Sequence, residues 1–174
     1  MNEFKIYTDG SCLGNPGAGG YAAVIIDENG NLQEFYGGER ETTNNRMELM
    51  AAIVALKKVS PEDFVELFTD SSYLKNAFTQ GWLANWKRNG WKTANKTPVL
   101  NMDLWKKLDA LILNRSIKFN WVKGHAGNTF NERCDTLARA EAERQKLKPT
   151  LKIKIEQPKL ATEIKSKPEQ LNLF

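Results

Sequence analysis

Cysteine, histidine and long apolar runs are all scarce in this sequence of 174 residues. The two cysteines, Cys12 and Cys134, are not arranged as a CxxC pair, which argues against a zinc site. We expect both to be free, buried thiols. No apolar run is long enough to cross a bilayer, and the start of the chain lacks the basic and apolar segments of a signal peptide. These absences predict a cytoplasmic protein with no membrane contact.

The net charge of +4 is unevenly distributed along the chain. The segment 145–174 holds seven Lys and three Glu, so the first 144 residues carry no net charge. The hydrophobic share of 41% suffices for one domain with its own core. We therefore predict a catalytic domain over 1–144 and a Lys- and Pro-containing flexible tail over 145–174. If the domain binds nucleic acid, a local basic patch must provide the contact.

Hydrophobic periodicity predicts an α/β fold. A first strand ends at Asp9-Gly10, the segment 14–20 forms a glycine-rich connection, and an Asn-Gly turn joins two further strands. The later elements are predicted in this order: a helix after Thr42–Asn45, a strand at 64–68, a helix at 71–80 ended by Gly81, a helix at 99–113, a strand at 117–122 and a helix at 131–144. This order predicts a five-stranded mixed sheet, with three antiparallel strands first and parallel additions after them, flanked by helices.

Four acids occupy unusual positions in this pattern. Asp9 and Asp70 each follow a predicted strand, whereas Glu48 and Asp135 stand early in helices beside apolar neighbours. Acids in apolar surroundings are costly unless they are paired or bind a cation. Converging carboxylates suit Mg²⁺, a hard cation that prefers oxygen ligands. The alternative is four ordinary surface acids, which the shared positions at the ends of elements make less attractive.

Six long blocks of the sequence resemble the successive motifs of bacterial type 1 ribonuclease H. They are TDGSCLGNPG (8–17), TTNNRMELMAAIVAL (42–56), TDSSY (69–73), NWKRNGWKTANKTPV (85–99), DLWKKLD (103–109) and WVKGHAGNTFNERCDTLAR (121–139). The resemblance implies the ribonuclease H-like fold and hydrolysis of the RNA strand of RNA–DNA hybrids by a two-metal-ion mechanism, leaving 3′-hydroxyl and 5′-phosphate ends.

The resemblance also implies the residues of the active site. The metal-binding carboxylates are those of Asp9, Glu48, Asp70 and Asp135, with two Mg²⁺ ions per site and Mn²⁺ as a substitute. The single histidine, His125, corresponds to the catalytic histidine of the family. Two other function classes stay open: a hybrid-binding module without activity, which should lack a metal ligand, and a resolvase or integrase of the same fold, which should lack the long blocks.

A basic, tryptophan-rich segment follows Gly81. It holds the predicted substrate contacts Trp82, Trp86, Lys87, Arg88, Trp91, Lys92 and Lys96 and has no acid between residues 82 and 101. Such a patch binds phosphates without regard to sequence; the alternative is a solvated helix face. By resemblance, Asn15, Asn44 and Asn45 lie near the RNA strand and Thr43 and Asn85 near DNA phosphates. Structural alternatives exist for two of them, since Asn15 suits a turn and Asn44 a helix cap.

The C-terminal segment carries two short patterns. LKIKI at 151–155 alternates and is compatible with an extra edge strand. The final QLNLF resembles the short motif that binds the bacterial replication sliding clamp, with Gln170, Leu171, Leu173 and Phe174 as the predicted partner-binding residues. The alternative is that these apolar side chains pack on the protein's own surface. The expected partners are thus an RNA–DNA hybrid and the clamp, with the protein itself a monomer.

Overall fold

The computed structural model describes residues 1–123 and 127–148. Five strands form one sheet in the order β3-β2-β1-β4-β5. The strands are β1 (Glu3–Gly14), β2 (Gly17–Asp27), β3 (Leu32–Thr42), β4 (Phe64–Thr69) and β5 (Ile117–Trp121). The first three pair antiparallel, and β4 and β5 add in parallel. The predicted five-stranded mixed sheet is confirmed.

Within the described residues, five helices flank the sheet. They are α1 (Asn44–Leu56), α2 (Ser72–Thr79), α3 (Trp82–Arg88), α4 (Met102–Ile112) and α5 (Thr129–Leu147). The main core packs α1 against one sheet face and α4 against α1, and it includes the fully buried Trp105. A second, smaller cluster packs α5 against the other face through Tyr7, Cys134 and Ala138. No helix in the described ranges is long and apolar enough to span a bilayer.

The first strand is longer than the sequence predicted. β1 does not end at Asp9-Gly10 but continues to Gly14, because β2 pairs with it along its whole length. Its parallel pairing with β4 does end early, at Tyr7 opposite Phe68. The predicted connection at 14–20 was also wrong: β2 begins at Gly17, so only Asn15 and Pro16 form the turn. The glycines of this segment allow neighbouring parts of the chain to pack closely against the strand, and they do not form a loop.

Other element boundaries differ at their ends. Helix α4 begins at Met102 rather than Val99, because Asn101 takes a left-handed conformation that a continuous α-helix cannot include. Helix α3, formed by the first residues of the basic segment, was not predicted. Helix α5 extends from Thr129 to Leu147, three residues past the predicted domain boundary at Arg144. Both C-terminal patterns, 151–155 and 170–174, lie outside the described residues.

Candidate active site

Three of the predicted acids meet at one edge of the sheet. Asp9 lies on β1, Glu48 on the first turns of α1 and Asp70 directly after β4. One carboxylate oxygen from each lies within 4.8 Å of the other two. The early end of the β1–β4 pairing explains the meeting, because Asp9 and Asp70 each follow the last pair, Tyr7 and Phe68, by two residues.

A close backbone approach brings Glu48 to this edge. A Cβ on Gly10 would lie 2.4 Å from the backbone nitrogen of Glu48 and 2.6 Å from the carbonyl carbon of Met47. Only glycine therefore allows α1 to approach β1 this closely. The Gly10 N–H also donates to Asp9 Oδ1 at 2.8 Å. Gly10 thus sets the separation between the strand acid and the helix acid.

The fourth acid, Asp135, lies on α5 and lines the same cavity of about 330 Å³. It is not among the three acids whose oxygens lie within 4.8 Å of one another. Instead, its Oδ1 forms an ion pair with Arg139 Nε at 2.8 Å, one helical turn along α5. The structure therefore brings all four acids to one cavity but places Asp135 in contact with a cation of the chain itself.

Burial and neighbouring carboxylates raise the pKa of two of the four acids, Asp9 and Glu48. Burial, with help from Asp70 and Asp135, raises the pKa of Asp9 to about 7 against the opposing effects of the Gly10 N–H and Arg139. Burial also raises the pKa of Glu48 well above its usual range, and Asp9 and Asp70 add to the shift. Burial disfavours a charged carboxylate, and like charges nearby disfavour it further. A cation bound among these groups would relieve both effects.

The donor set fits Mg²⁺. Glu48 Oε2 is buried and has no hydrogen-bond partner in the described part of the chain. A buried acceptor without a partner is costly, and a metal ion would satisfy it. All four side chains offer oxygen, the ligand that Mg²⁺ takes. The Cys134 thiol is not part of this donor set, because its Sγ donates to the Tyr7 carbonyl. A set made only of oxygen ligands favours a hard divalent cation over a zinc-type ion.

The predicted RNA-side amides surround this cavity. Asn44 and Asn45 both line it. Thr43, and not Asn44, is the N-cap of α1: its hydroxyl accepts from the Arg46 N–H at 3.3 Å, and Asn44 is the first helical residue. Asn15 sits in the β1–β2 turn, as its place before Pro16 favours, and its Oδ1 accepts from the Asn44 N–H at 3.2 Å. Asn15 therefore holds the start of α1 in place.

The predicted basic segment forms a separate surface. Trp82, Trp86 and Trp91 are half-buried and pack against the main core, with the Trp86 ring 5.5 Å from that of Trp105. They are structural as well as candidate contacts. Lys92 and Lys96 are exposed, whereas Lys87 pairs with Asp109 at 2.9 Å. The Arg88 guanidinium hydrogen-bonds to the Asn85 amide oxygen. His125 lies outside the described residues.

Sequence reasoning missed several residues that line the cavity. They are Gly10, Ser11, Ser71, Ser72, Tyr73 and Arg139. For Arg139 a signal existed, because residues four apart on a helix face each other and Asp135–Arg139 has that spacing. Tyr73 gave no such signal: its hydroxyl accepts from Trp105 Nε1 at 2.9 Å across 32 residues. Only the folded chain brings those two together.

The fold and the acid cluster together define a class, that of ribonuclease H-like proteins with a carboxylate centre at one sheet edge. The family model described as RNase H matches residues 1–143. Ribonuclease H of Enterobacter sp. (strain 638) is 57% identical over 140 residues, covering 80% of this chain and 89% of that protein. Ribonuclease H of Escherichia coli O127:H6 is 55% identical over 151 residues, covering 87% and 94%.

Solved structures agree with this assignment. LC9-RNase H1, described as a type 1 RNase H with the type 2 active-site motif, has a TM-score of 0.73 and 30% identity, over 83% of this chain and 74% of that one. LC11-RNase H1, solved in complex with an RNA/DNA hybrid, has a TM-score of 0.60 and 29% identity, over 81% and 97%. The chain belongs to the RNase H family, as the sequence blocks predicted.

Proposed function

We propose that this chain is an endoribonuclease that hydrolyses the RNA strand of RNA–DNA hybrids and leaves 3′-hydroxyl and 5′-phosphate ends. The observation that carries the proposal is the cluster of Asp9, Glu48 and Asp70, with Asp135 on the same cavity wall. Relatives bear the name ribonuclease H, and a similar structure was solved with an RNA/DNA hybrid. A hybrid-binding module without activity has no need of four intact acids.

Asp9, Glu48, Asp70 and Asp135 would hold Mg²⁺, or Mn²⁺ in its place. When bound, a pair of such ions would stabilise the charge on the phosphodiester and lower the pKa of a water molecule. The chain itself supplies the ligands at fixed positions, three on β1, α1 and α5 and the fourth, Asp70, directly after β4. In the proposed hydrolysis, the water oxygen forms a bond to phosphorus and the P–O3′ bond breaks. The 3′ oxygen leaves with a proton as a hydroxyl, and the phosphate stays on the 5′ end of the downstream product.

Substrate selection is proposed to lie at two surfaces. Asn44 and Asn45, on the cavity wall, offer amide donors and acceptors for a ribose 2′-hydroxyl, the group that distinguishes RNA from DNA. Thr43 and Asn85, with Lys92 and Lys96 of the basic segment, would contact phosphates of the DNA strand. Asn15 would contribute indirectly to RNA binding, because its side chain accepts a hydrogen bond from the Asn44 N–H and so positions Asn44. Two surfaces of different chemistry suit a duplex with two different strands.

His125 is proposed to assist proton transfer or product release. Its neighbours in sequence, Gly124 and Gly127, belong to the segment between β5 and α5. α5 carries Asp135, so this segment connects directly to an element of the site. An imidazole changes charge near neutral pH and is therefore suited to either role.

One assay tests the central proposal. Cleavage is measured on four matched duplexes, RNA–DNA, RNA–RNA, DNA–DNA and a hybrid with a single ribonucleotide, with Mg²⁺ and with a chelator. We expect cutting of RNA in the RNA–DNA hybrid, only with the metal, and end-labelled products with 3′-hydroxyl and 5′-phosphate groups. Comparable cutting of double-stranded DNA would instead support a resolvase or integrase function.

A second proposal concerns the end of the chain, whose structure is outside the described residues. Leu173 and Phe174 would anchor in an apolar pocket of the replication sliding clamp, and Gln170 would add amide hydrogen bonds. The Lys- and Pro-containing segment before them would act as a linker. The proposed setting is a monomer in the cytoplasm, at sites of replication where hybrids form. A chain ending at Glu169 should lose clamp binding but keep hybrid cleavage; equal binding by both chains contradicts the proposal.

A further inference from the structure

The acid cavity contains one cation of the protein itself. Its described lining holds the four acids Asp9, Glu48, Asp70 and Asp135, and Arg139 is the only basic side chain among the described residues that line it. Arg139 Nε lies 2.8 Å from Asp135 Oδ1. The geometry therefore divides the four acids into two sets, three that face one another and one that is held by an arginine.

The ion pair is open to solvent on the arginine side. The Arg139 side chain is 60% exposed, whereas that of Asp135 is 23% exposed. Solvent therefore surrounds the cation, and the guanidinium can move into water without being buried elsewhere. A guanidinium keeps its charge at every accessible pH, so a competing cation can replace Arg139 at Asp135 without any change in the charge of the arginine itself. The charge of Arg139 also acts on Asp9, where it partly opposes the burial that raises the pKa of that carboxyl.

We propose that Arg139 is a positioning residue that holds Asp135 away from the other three acids in the metal-free enzyme and is displaced when a divalent cation binds. This inference rests on the proposed function, because it requires a metal-dependent site. Arg139 acts as the internal counter-charge of the metal-free cluster. Binding of the metal then exchanges one cation for another at Asp135, and the exchange lowers the apparent metal affinity.

A purely structural role predicts something different. Pairs four residues apart stabilise a helix whether or not metal is present. The same helix provides a matched comparison: Arg133 forms a bidentate ion pair with Glu34, at 2.6 and 2.9 Å. Arg133 does not line the acid cavity. Loss of either arginine removes an ion pair of α5, but only loss of Arg139 removes the positive charge that lies beside the acids of the cavity.

The test uses the full chain and its variants Arg139→Gln, Arg139→Lys and Arg133→Gln. Mg²⁺ binding is measured by calorimetry and by amide chemical shifts, without substrate. Arg139→Gln should bind Mg²⁺ about fivefold more tightly, the scale of one solvated ion pair. Arg139→Lys should lie between it and the unchanged protein, and Arg133→Gln should match the unchanged protein. Equal or weaker binding by Arg139→Gln overturns the inference.

Denaturant unfolding supplies a second readout. In a chelator, Arg139→Gln should unfold at lower denaturant than the unchanged chain, because the acids lose their counter-charge. Saturating Mg²⁺ should remove that deficit, whereas the deficit of Arg133→Gln should remain. A deficit of Arg139→Gln that persists with Mg²⁺ indicates a structural role only and contradicts the inference. If the unchanged chain binds no Mg²⁺, both this inference and the proposed metal-dependent function fail. If it binds Mg²⁺ but Arg139→Gln binds no more tightly, only this inference fails.

Discussion

The backbone of Gly10 on β1 lies against the backbone of Glu48 on α1, with room for a hydrogen atom but not for a methyl group. This packing joins the central strand to the helix that carries a buried acid of the cluster. It also places Glu48 next to Asp9, the residue that precedes Gly10. The spacing of these two carboxylates is therefore set by main-chain packing, and rotation of the side chains cannot restore it after the main chain has moved.

Gly10→Ala should lower both stability and metal affinity. The added methyl would lie 2.4 Å from Glu48 N and 2.6 Å from Met47 C, both backbone atoms, so α1 must move. Overpacking of this kind costs about 1–3 kcal/mol, and the movement separates Glu48 from Asp9. Urea unfolding in a chelator and Mg²⁺ titration measure the two effects. Gly30→Ala is the control: it should cost stability through its positive φ but leave Mg²⁺ affinity unchanged.

Asp9→Asn, Glu48→Gln and Asp70→Asn should each nearly abolish turnover while hybrid binding stays largely intact. The three side chains form the metal-type cluster, and the proposed contacts to the body of the duplex are made by other residues. Single-turnover cleavage and binding of a fluorescent hybrid measure the two quantities. His125→Ala should keep reduced but measurable activity, because it is proposed to assist and not to bind metal. A histidine variant as inactive as Asp9→Asn would show that its proposed role is wrong.

Asp9 should make the metal-free protein less stable as pH rises. Its pKa of about 7 in the folded chain exceeds the usual 3.8, so the folded state holds the proton more tightly than the unfolded state. The stabilisation is fully present below about pH 4 and is lost as pH rises to about 7. Asp9→Asn should therefore gain free energy of unfolding over the unchanged chain as pH rises, by at most about 4 kcal/mol.

Denaturant titrations in a chelator at pH 5 and pH 8 measure this gain. Asp103→Asn is the matched control, because the hydrogen bond from Arg46 lowers the pKa of Asp103 instead of raising it. The effect of losing Asp103 should be the same at both pH values, since its carboxyl is ionised at both. A free-energy difference between Asp9→Asn and the unchanged chain that does not grow with pH contradicts the assignment.

Replacing Lys87, Arg88, Lys92 and Lys96 by Ala should weaken hybrid binding and flatten its salt dependence. The slope of log K against log salt should fall by roughly one unit for every phosphate that the variant no longer touches. Lys87 should contribute less than Lys92 or Lys96 in single variants, since it is already paired with Asp109. Asp109→Asn should strengthen binding slightly by freeing Lys87. An unchanged salt slope in the fourfold variant would show that this surface does not bind the phosphate backbone.

The sequence predicted the sheet well because its strands depend on local patterns. It also selected four acids that the structure brings to one cavity. Alternation, an Asn-Gly turn and the long family blocks identify β2, β3 and the four acids. The end of β1 was wrong because the partner strand decides where a strand ends, and Gly17 proved to be part of β2. The relation of Asp135 to the other acids depends on Arg139 and on how α5 crosses the sheet. The four-residue spacing of Asp135 and Arg139 is visible in the sequence, but the path of α5 over the sheet is not.

The course of α5 determines where additional chain leaves the domain. The helix brings Asp135 to the acid cavity in its second turn, passes over Gly20 of β2 and ends beside Gly38 of the edge strand β3, where Gln145 packs. From Asp135 to Leu147 it rises about 18 Å. A fluorophore, affinity tag or fused domain joined after Leu147 would therefore be attached well away from the acids. Immobilisation through this end should leave the acid cavity accessible.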